Sequence, residues 1–279
     1  MPIDPNEILS LPPITTRQVL TQRDTILYAL GVGATELEFV FEERLKALPT
    51  MPVVLGYPGF FWREPEYGVD WKRILHGEQS LQIHAPLPTE GQLVGESRID
   101  AIYDKGADKG AIAHASRQVR DGDGKLLATL RSTTFLRGDG GFGGPSSGGP
   151  KPNPPPPERS ADHVVALATA SNQALIYRLA GDYNPLHIDP ELAHASGFKA
   201  PILHGLCTYG VVGRALISAL CDSAPERLKR MDVRFSSPVY PGETVTTEIW
   251  RTGAGRAAFR SSILERKTVV LNNGYAEFE

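Results

Sequence analysis

The chain has 279 residues, 41% of them apolar, which is enough to enclose one large core or two ordinary ones. Its 29 basic and 32 acidic residues are spread along the length and leave a formal charge of -3, which argues against a nucleic-acid surface or a polybasic membrane arm. No apolar run approaches the roughly 20 residues that span a bilayer, and the two cysteines, Cys207 and Cys221, have no further thiols at metal-ligand spacing.

The opening "MPIDPNEILS" lacks the charged-then-apolar profile of a secretory signal, and the closing "YAEFE" is not a Ser-Lys-Leu peroxisomal address. A cytoplasmic protein with reduced thiols is the expectation. In chain order, "YALGVG" from Tyr28 comes first. Alternating apolar and polar residues then mark two strands in "LQIHAPLPTEGQLVGESRI" (81–99), joined by a proline turn with a glycine. More alternation follows in "AIAHASRQVRDGDGKLLATLRSTTFL" (111–136), folded at the hairpin signal "DGDG" (121–124). From Arg137 to Ser160 the chain reads "RGDGGFGGPSSGGPKPNPPPPERS", where glycine forbids a stable element and the prolines favour an extended spacer. The expected division is a first half at 1–136, a linker at 137–160 and a second half at 161–279.

The second half repeats the first in outline. "YRLAGD" from Tyr177 echoes "YALGVG", and "VRFSSPVYPGETVTTEIW" (233–250) echoes the strand, proline turn and strand of 81–99 at nearly the same offset. Alternation resumes in "RAAFRSSILERKTVVLNNGYAEF" (256–278). Helical character is concentrated in "PILHGLCTYGVVGRALISALC" (201–221), which is apolar almost all round and therefore has to be enclosed. A long antiparallel sheet wrapped round one buried helix satisfies each half, and two such halves side by side give one continuous sheet in an α+β fold.

The densest chemistry is "GDYNPLHIDP" (181–190). Pro185 restricts Asn184 to extended or turn geometry, and Asp189 reads as an N-cap with Pro190 at the first helical position, so the loop is clamped at its far end. Asp182 and His187 on such a loop form an acid/base pair that can hold one water. The same spacing also suits an Asx-turn in which Asp182 and Asn184 bond backbone and His187 only packs. His204-Gly205 falls at the start of the apolar helix, where unpaired N–H groups favour a negative oxygen and Gly205 lets it approach. One oxyanion donor of this kind is worth about 3–4 kcal/mol. A zinc site from His187, His194 and His204 lacks a recognisable ligand spacing, so no metal is expected. Cys207 inside an apolar helix is a poor nucleophile, and no G-x-S-x-G elbow occurs.

With "YRLAGDYNPLHIDPELAHASGFKAPILHGLCTYG" in view, the chain resembles the hydratase 2 family, the (R)-specific 2-enoyl-CoA hydratases of the MaoC-like group, and in particular the hydratase domains of peroxisomal type 2 multifunctional enzymes. The likeness extends to "LPT" (48–50), "LHGEQ" (75–79), "DKG" (104–106), "GGFGG" (140–144) and "RFSSPVYPGE" (234–243). It implies a double hot dog fold, a homodimer, and reversible addition of water to trans-2-enoyl-CoA to give (3R)-3-hydroxyacyl-CoA. The CoA thioester is then the substrate and no cofactor is needed. By motif, Asp182 and His187 are the water-activating pair, Asn184 fixes the loop or the water, and Gly205 is the oxyanion donor. Tyr177, His204 and Glu42 are supporting groups, and His76, Gly77, Lys105 and Phe235 contact the CoA thioester. Lys105 and Phe235 are also compatible with an ordinary turn lysine and an inward strand residue. Val32 stands in "YALGVG" where Asp182 stands in the second half, so one active site per chain is expected, with room in the first half for an acyl tail. Two other functions suit the same fold: an acyl-CoA thioesterase, which releases free CoA thiol, and a non-catalytic acyl-CoA-binding protein, in which Asp182 and His187 are dispensable.

Overall fold

In the computed structural model, residues 3–279 are described; Met1 and Pro2, with which the expected first half begins, lie outside the described residues. Alternation translates directly into strands. The chain runs α1 (Pro5–Ser10), β1 (Ile14–Leu20), α2 (Gln22–Gly31), α3 (Leu37–Val40), β2 (Ile74–Ile83), β3 (Gly91–Asp104), β4 (Ala111–Asp121) and β5 (Leu126–Leu136). It continues through β6 (His163–Ala168), α4 (Gln173–Tyr177), α5 (Pro190–Ala195), α6 (Gly205–Leu220), β7 (Leu228–Phe235), β8 (Thr244–Gly253), β9 (Arg256–Ile263) and β10 (Thr268–Phe278). Among the described residues, no helix is long and apolar enough to cross a membrane.

The strands form one 10-stranded sheet in the order β1-β3-β4-β5-β2-β7-β10-β9-β8-β6. Read outward from its centre, each half has the same order, so the repeat in the sequence is a repeat of topology. β2 and β7 join the halves as an antiparallel pair that includes Ser80 opposite Asp232, and the Ser80 hydroxyl donates to the Asp232 carboxylate at 2.6 Å. This is the double hot dog architecture, an α+β fold.

α6 fills the concave side of the second half. Of its 16 residues, Cys207 to Gly213, Ala215 to Ile217 and Leu220 are all buried. Two glycines let the first half close on it. A Cβ at Gly210 would come within 2.4 Å of Val32, and one at Gly213 within 2.5 Å of Thr50. Val32 is fully buried in this contact. Counted from Tyr28 and Tyr177, however, the residue of "YALGVG" that matches Asp182 is Gly33 rather than Val32, so the first half offers no acid there and Val32 serves to seal α6.

The first half departs from the expected pattern, because no long helix covers its sheet. Between α3 and β2 the chain makes five short 3-10 turns instead. The reason is local: Pro49, Pro52, Pro58 and Pro65 each remove a donor, and Gly56, Gly59 and Gly68 adopt positive φ in the same stretch. This turn-rich segment lies directly on the sheet at Gly95, whose missing Cβ would stand 2.1 Å from the Gly56 carbonyl oxygen.

Residues 137–160 contain no helix or strand, as their composition predicts, but they do not form a free spacer. The Asp104 carboxylate accepts from the N–H groups of Gly106, Gly141 and Gly143 at 2.7–2.8 Å, which lowers its pKa. Further along, the Asn153 carbonyl accepts from Asn273 at 2.9 Å and the Arg159 carbonyl from the Trp250 indole at 2.7 Å. Anchored at both ends, the segment is a strap across the sheet.

Replacing Gly95 with alanine forces a side-chain carbon against the Gly56 backbone. The expected loss is about 1–3 kcal/mol of unfolding free energy, read from the urea midpoint. Gly253→Ala, which meets nothing within 4 Å, serves as the control and should shift stability by less than about 0.5 kcal/mol.

Candidate active site

The Asx-turn reading of the loop at 181–190 holds. Asp182 Oδ1 accepts from the Asn184 N–H at 3.2 Å, and Asn184 Oδ1 accepts from the Leu186 N–H at 3.1 Å, capping the turn Pro185–His187. Asn184 therefore fixes the loop. Asp189 caps α5 through the N–H groups of Glu191 and Leu192. Clamped in this way, the loop leaves one oxygen of Asp182 without a protein donor and places His187 inside the molecule.

Asp182, His187 and His204 bring ligand-type atoms within 4.8 Å of one another. The two imidazoles stack with centroids 3.7 Å apart and planes 28° from parallel, and Tyr177 lies 4.9 Å from His204. Backbone carbonyls fix the tautomers, because a carbonyl oxygen can only accept. His187 Nδ1 faces the Ile202 carbonyl at 2.8 Å, so its proton is on Nδ1 and its Nε2 is a free lone pair. His204 Nε2 donates to the Asp182 carbonyl at 3.1 Å, which leaves Nδ1 bare, buried and without a partner. The Tyr177 hydroxyl is likewise buried and unpaired.

Burial keeps both imidazoles neutral. The His204 pKa is depressed to about 3, first by desolvation and then by His187. His187 is also depressed by desolvation, which outweighs the opposing pull of the Asp182 charge and the Ile202 hydrogen bond. Burial drives the Tyr177 phenol well above its usual pKa and likewise raises the Cys207 thiol, which donates to the Gly31 carbonyl at 3.3 Å.

Gly205 is the first residue of α6, and its N-cap, His204, makes no side-chain capping bond, so the first-turn N–H groups remain open. A Cβ at Gly205 would approach Phe235 to 3.2 Å. Phe235 in turn packs on His76 with centroids 4.9 Å apart, and the neighbouring Gly77 lies under the Phe135 ring, where a Cβ would come within 2.3 Å. Phe135 borders a cavity of about 650 Å³, lined also by Lys105, Lys109, Gly106 and Ser146. Lys105 donates to the Ser146 carbonyl there. Phe235 and His76 thus stand beside the open end of α6, and Phe135 stands between Gly77 and the doubly cationic cavity.

The structure thus gathers Asp182, Asn184, His187, Tyr177, His204 and Gly205 at one point and places Phe235 and His76 beside it, while Gly77 packs on Phe135 and Lys105 lines the cavity that Phe135 borders. It does not bring Glu42 there: that side chain is exposed on a 3-10 turn and forms no hydrogen bond or ion pair with the others among the described residues. His194 is exposed and apart, its Nε2 facing the Lys199 carbonyl at 2.9 Å. The sequence reading missed Tyr57, a half-buried phenol from the first half whose pKa is raised to about 12 by burial and by the Asp182 charge. Its only signal was an aromatic residue in a proline-rich turn.

Comparison with known proteins places these features in a family. Residues 19–138 match the family described as MFE-2 hydratase 2 N-terminal domain, and residues 152–273 match the MaoC like domain. The chain is 42% identical to the probable enoyl-CoA hydratase 2 of Dictyostelium discoideum, over 93% of this chain and 91% of that protein. It is also 42% identical to the 3-hydroxyacyl-thioester dehydratase Y of Mycobacterium tuberculosis, over 100% and 99% of the two chains. The crystal structure of a MaoC-like dehydratase from Phytophthora capsici superposes with a TM-score of 0.89 at 40% identity, covering 98% of each chain.

The depressed imidazoles have a measurable consequence. An unfolded histidine takes up a proton near pH 6.5, whereas folded His204 does not until about pH 3. The stability this difference contributes is complete above about pH 6.5 and drains away as the pH falls toward 3, because the unfolded chain then binds more protons. His204→Phe should flatten this acid slope of the urea midpoint between about pH 7 and pH 4.5.

Proposed function

The chain belongs to the MaoC-like hydratase 2 family, and on that premise we propose that it is an (R)-specific 2-enoyl-CoA hydratase, reversibly converting trans-2-enoyl-CoA to (3R)-3-hydroxyacyl-CoA. The observation that carries the reading is the pairing of a free Asp182 oxygen with the unprotonated Nε2 of His187 beside the open N-terminus of α6.

In this reading a water lies between Asp182 and His187, and the pair withdraws one of its protons as the oxygen attacks C3. The electron pair displaced from the double bond moves onto the thioester oxygen as an enolate. The Gly205 N–H, at the positive end of α6, stabilises that oxygen. The pair returns a proton at C2, so the two carbons gain the elements of water and nothing else changes. Asn184 fixes the loop, His204 holds it through the Asp182 carbonyl, and Tyr177 backs the His204 ring. The Phe235 and His76 rings beside Gly205 suit the pantetheine arm, and the Lys105 cavity suits CoA phosphates.

The reaction needs no metal. The Asp182 carboxylate and the His187 lone pair already supply a base for the water, and the α6 N–H groups a place for the enolate oxygen. We assign the protein to the cytoplasm, in keeping with two free, buried cysteines, and take a homodimer as the working assembly on the family likeness.

With crotonyl-CoA and a longer trans-2-enoyl-CoA, the protein should remove the conjugated enoyl absorbance and give the 3R product; release of CoA thiol without hydration would indicate a thioesterase instead. Asp182→Asn and His187→Ala should each lower kcat by about 100- to 10,000-fold with circular dichroism unchanged, whereas a non-catalytic binding protein would be indifferent to both. Prolonged dialysis against EDTA should leave kcat as it was. Because the base must be unprotonated and burial lowers the His187 pKa, kcat/KM should stay level through neutral pH and fall only below about pH 6.5, an acid limb absent from His187→Ala.

A further inference from the structure

The inner face of the first half has a gap in its apolar lining. Leu93, Val119 and Leu130 belong to the main core, while Ile102, Ala111, Ala113 and Leu136 belong to a second, separate cluster. Between them on the same face, the register places Ala115 opposite Ser132 and Ile99, and Arg117 opposite Leu130 and Ser97. These side chains are short, apart from Ile99 and the arginine. Ala115, Arg117, Ser132 and Ile99 are only half-buried although they face inward. With no helix over this half of the sheet, they are covered in part by the 3-10 segment, which Arg117 meets at Pro52 and Val53.

Arg117 is the one charge in that floor. Its Nη2 donates to the Pro52 and Val53 carbonyls at 3.1 and 2.7 Å, its Nε is buried without an acceptor, and its Nη1 donates to no protein group. No carboxylate pairs with it among the described residues. Burial lowers its pKa to about 10, so it stays cationic at neutral pH. The guanidinium lies 5.2 Å from the centre of the Tyr57 ring, and Tyr57 also feels the charge of Asp182, so the cation and the Asp182 carboxylate both act on one phenol. A charge held by two neutral carbonyls and a ring face, with no carboxylate beside it, retains an unmet demand for an anion.

We propose that Arg117 is a specificity-determining residue that binds a carboxylate at the far end of the acyl chain, so that ω-carboxylated enoyl-CoAs are preferred to methyl-ended ones of equal length. This rests on the hydratase reading above. The CoA phosphates are a poorer source of the anion, because Lys105 and Lys109 gather on the opposite side of β4, the side to which Ile112 turns. Alternation puts Arg117 and Ile112 on different faces.

The test is the ratio of kcat/KM for trans-2-hexenedioyl-CoA to that for trans-2-hexenoyl-CoA, repeated with the octenedioyl and octenoyl pair. The wild-type ratio should exceed one in at least one pair, by about tenfold. Arg117→Met should bring that ratio down to one or below, and Arg117→Lys should retain part of the preference. A wild-type ratio at or below one in both pairs overturns the proposal without any variant. So does an Arg117→Met ratio equal to wild type, which would leave the residue as a pin for the Pro52–Val53 turn. Hydration of the methyl-ended substrates keeps the hydratase reading intact in either case, whereas failure to hydrate any of the four removes both.

Discussion

A helix of 16 residues that is apolar almost all round is stable only where every face is covered. The sheet of the second half covers one side of α6, and the first half supplies the rest through Val32 and Thr50 at the glycine notches of Gly210 and Gly213. From that enclosure follows the position of its N-terminus at the seam between the halves, with open N–H groups in a place water reaches only in part. The 181–190 loop docks on this end: the His204 side chain holds the Asp182 carbonyl, and His187 stacks on His204. Loosening α6 would therefore displace Asp182, His187 and the open N–H groups at Gly205 together.

The same burial sets the protonation states. Two imidazoles 3.7 Å apart cannot both be charged in an interior that already disfavours one charge. The arrangement resolves this by engaging a backbone carbonyl with one nitrogen of each ring, which fixes the tautomers and leaves a lone pair on His187 Nε2 facing no protein donor. A base that stays neutral through physiological pH is the result of packing, with Asp182 only partly opposing it.

Local patterns carried much of this into the sequence. Period-two alternation gave the strands, and the apolar run at 201–221 gave α6. Asp189-Pro190 gave α5, and the paired hairpins at 81–99 and 233–250 gave a repeat that the mirrored strand order bears out. The expectation of a helix in each half failed because it extended the repeat past its evidence; Pro49, Pro52, Pro58 and Pro65 already spoke against it. Tyr57 and Arg117 were hidden for a different reason. What they face depends on how β4 pairs with β3 and β5 and on where a turn 60 residues earlier comes to rest. Even so, Arg117 carried a faint mark, since it breaks the run of small and apolar residues at alternate positions from Ala111 to Val119.

The two halves have diverged by trading opposite features. The second keeps the helix and with it the dipole, the loop and the acid; its inner face is filled and offers a substrate little space. The first has no long helix over its sheet and has Gly33 where the second has Asp182, and the neighbouring Val32 seals α6. What it gains is an inner face closed by turns instead of a packed helix, with short side chains at Ala115 and Ser132 and a cation between two apolar clusters. A duplicated sheet with two identical faces would have two reaction centres and no room for a chain beyond C3. Asymmetry between Gly33 and Asp182 and in the proline-rich turns is therefore what sets the inner faces of the two halves apart.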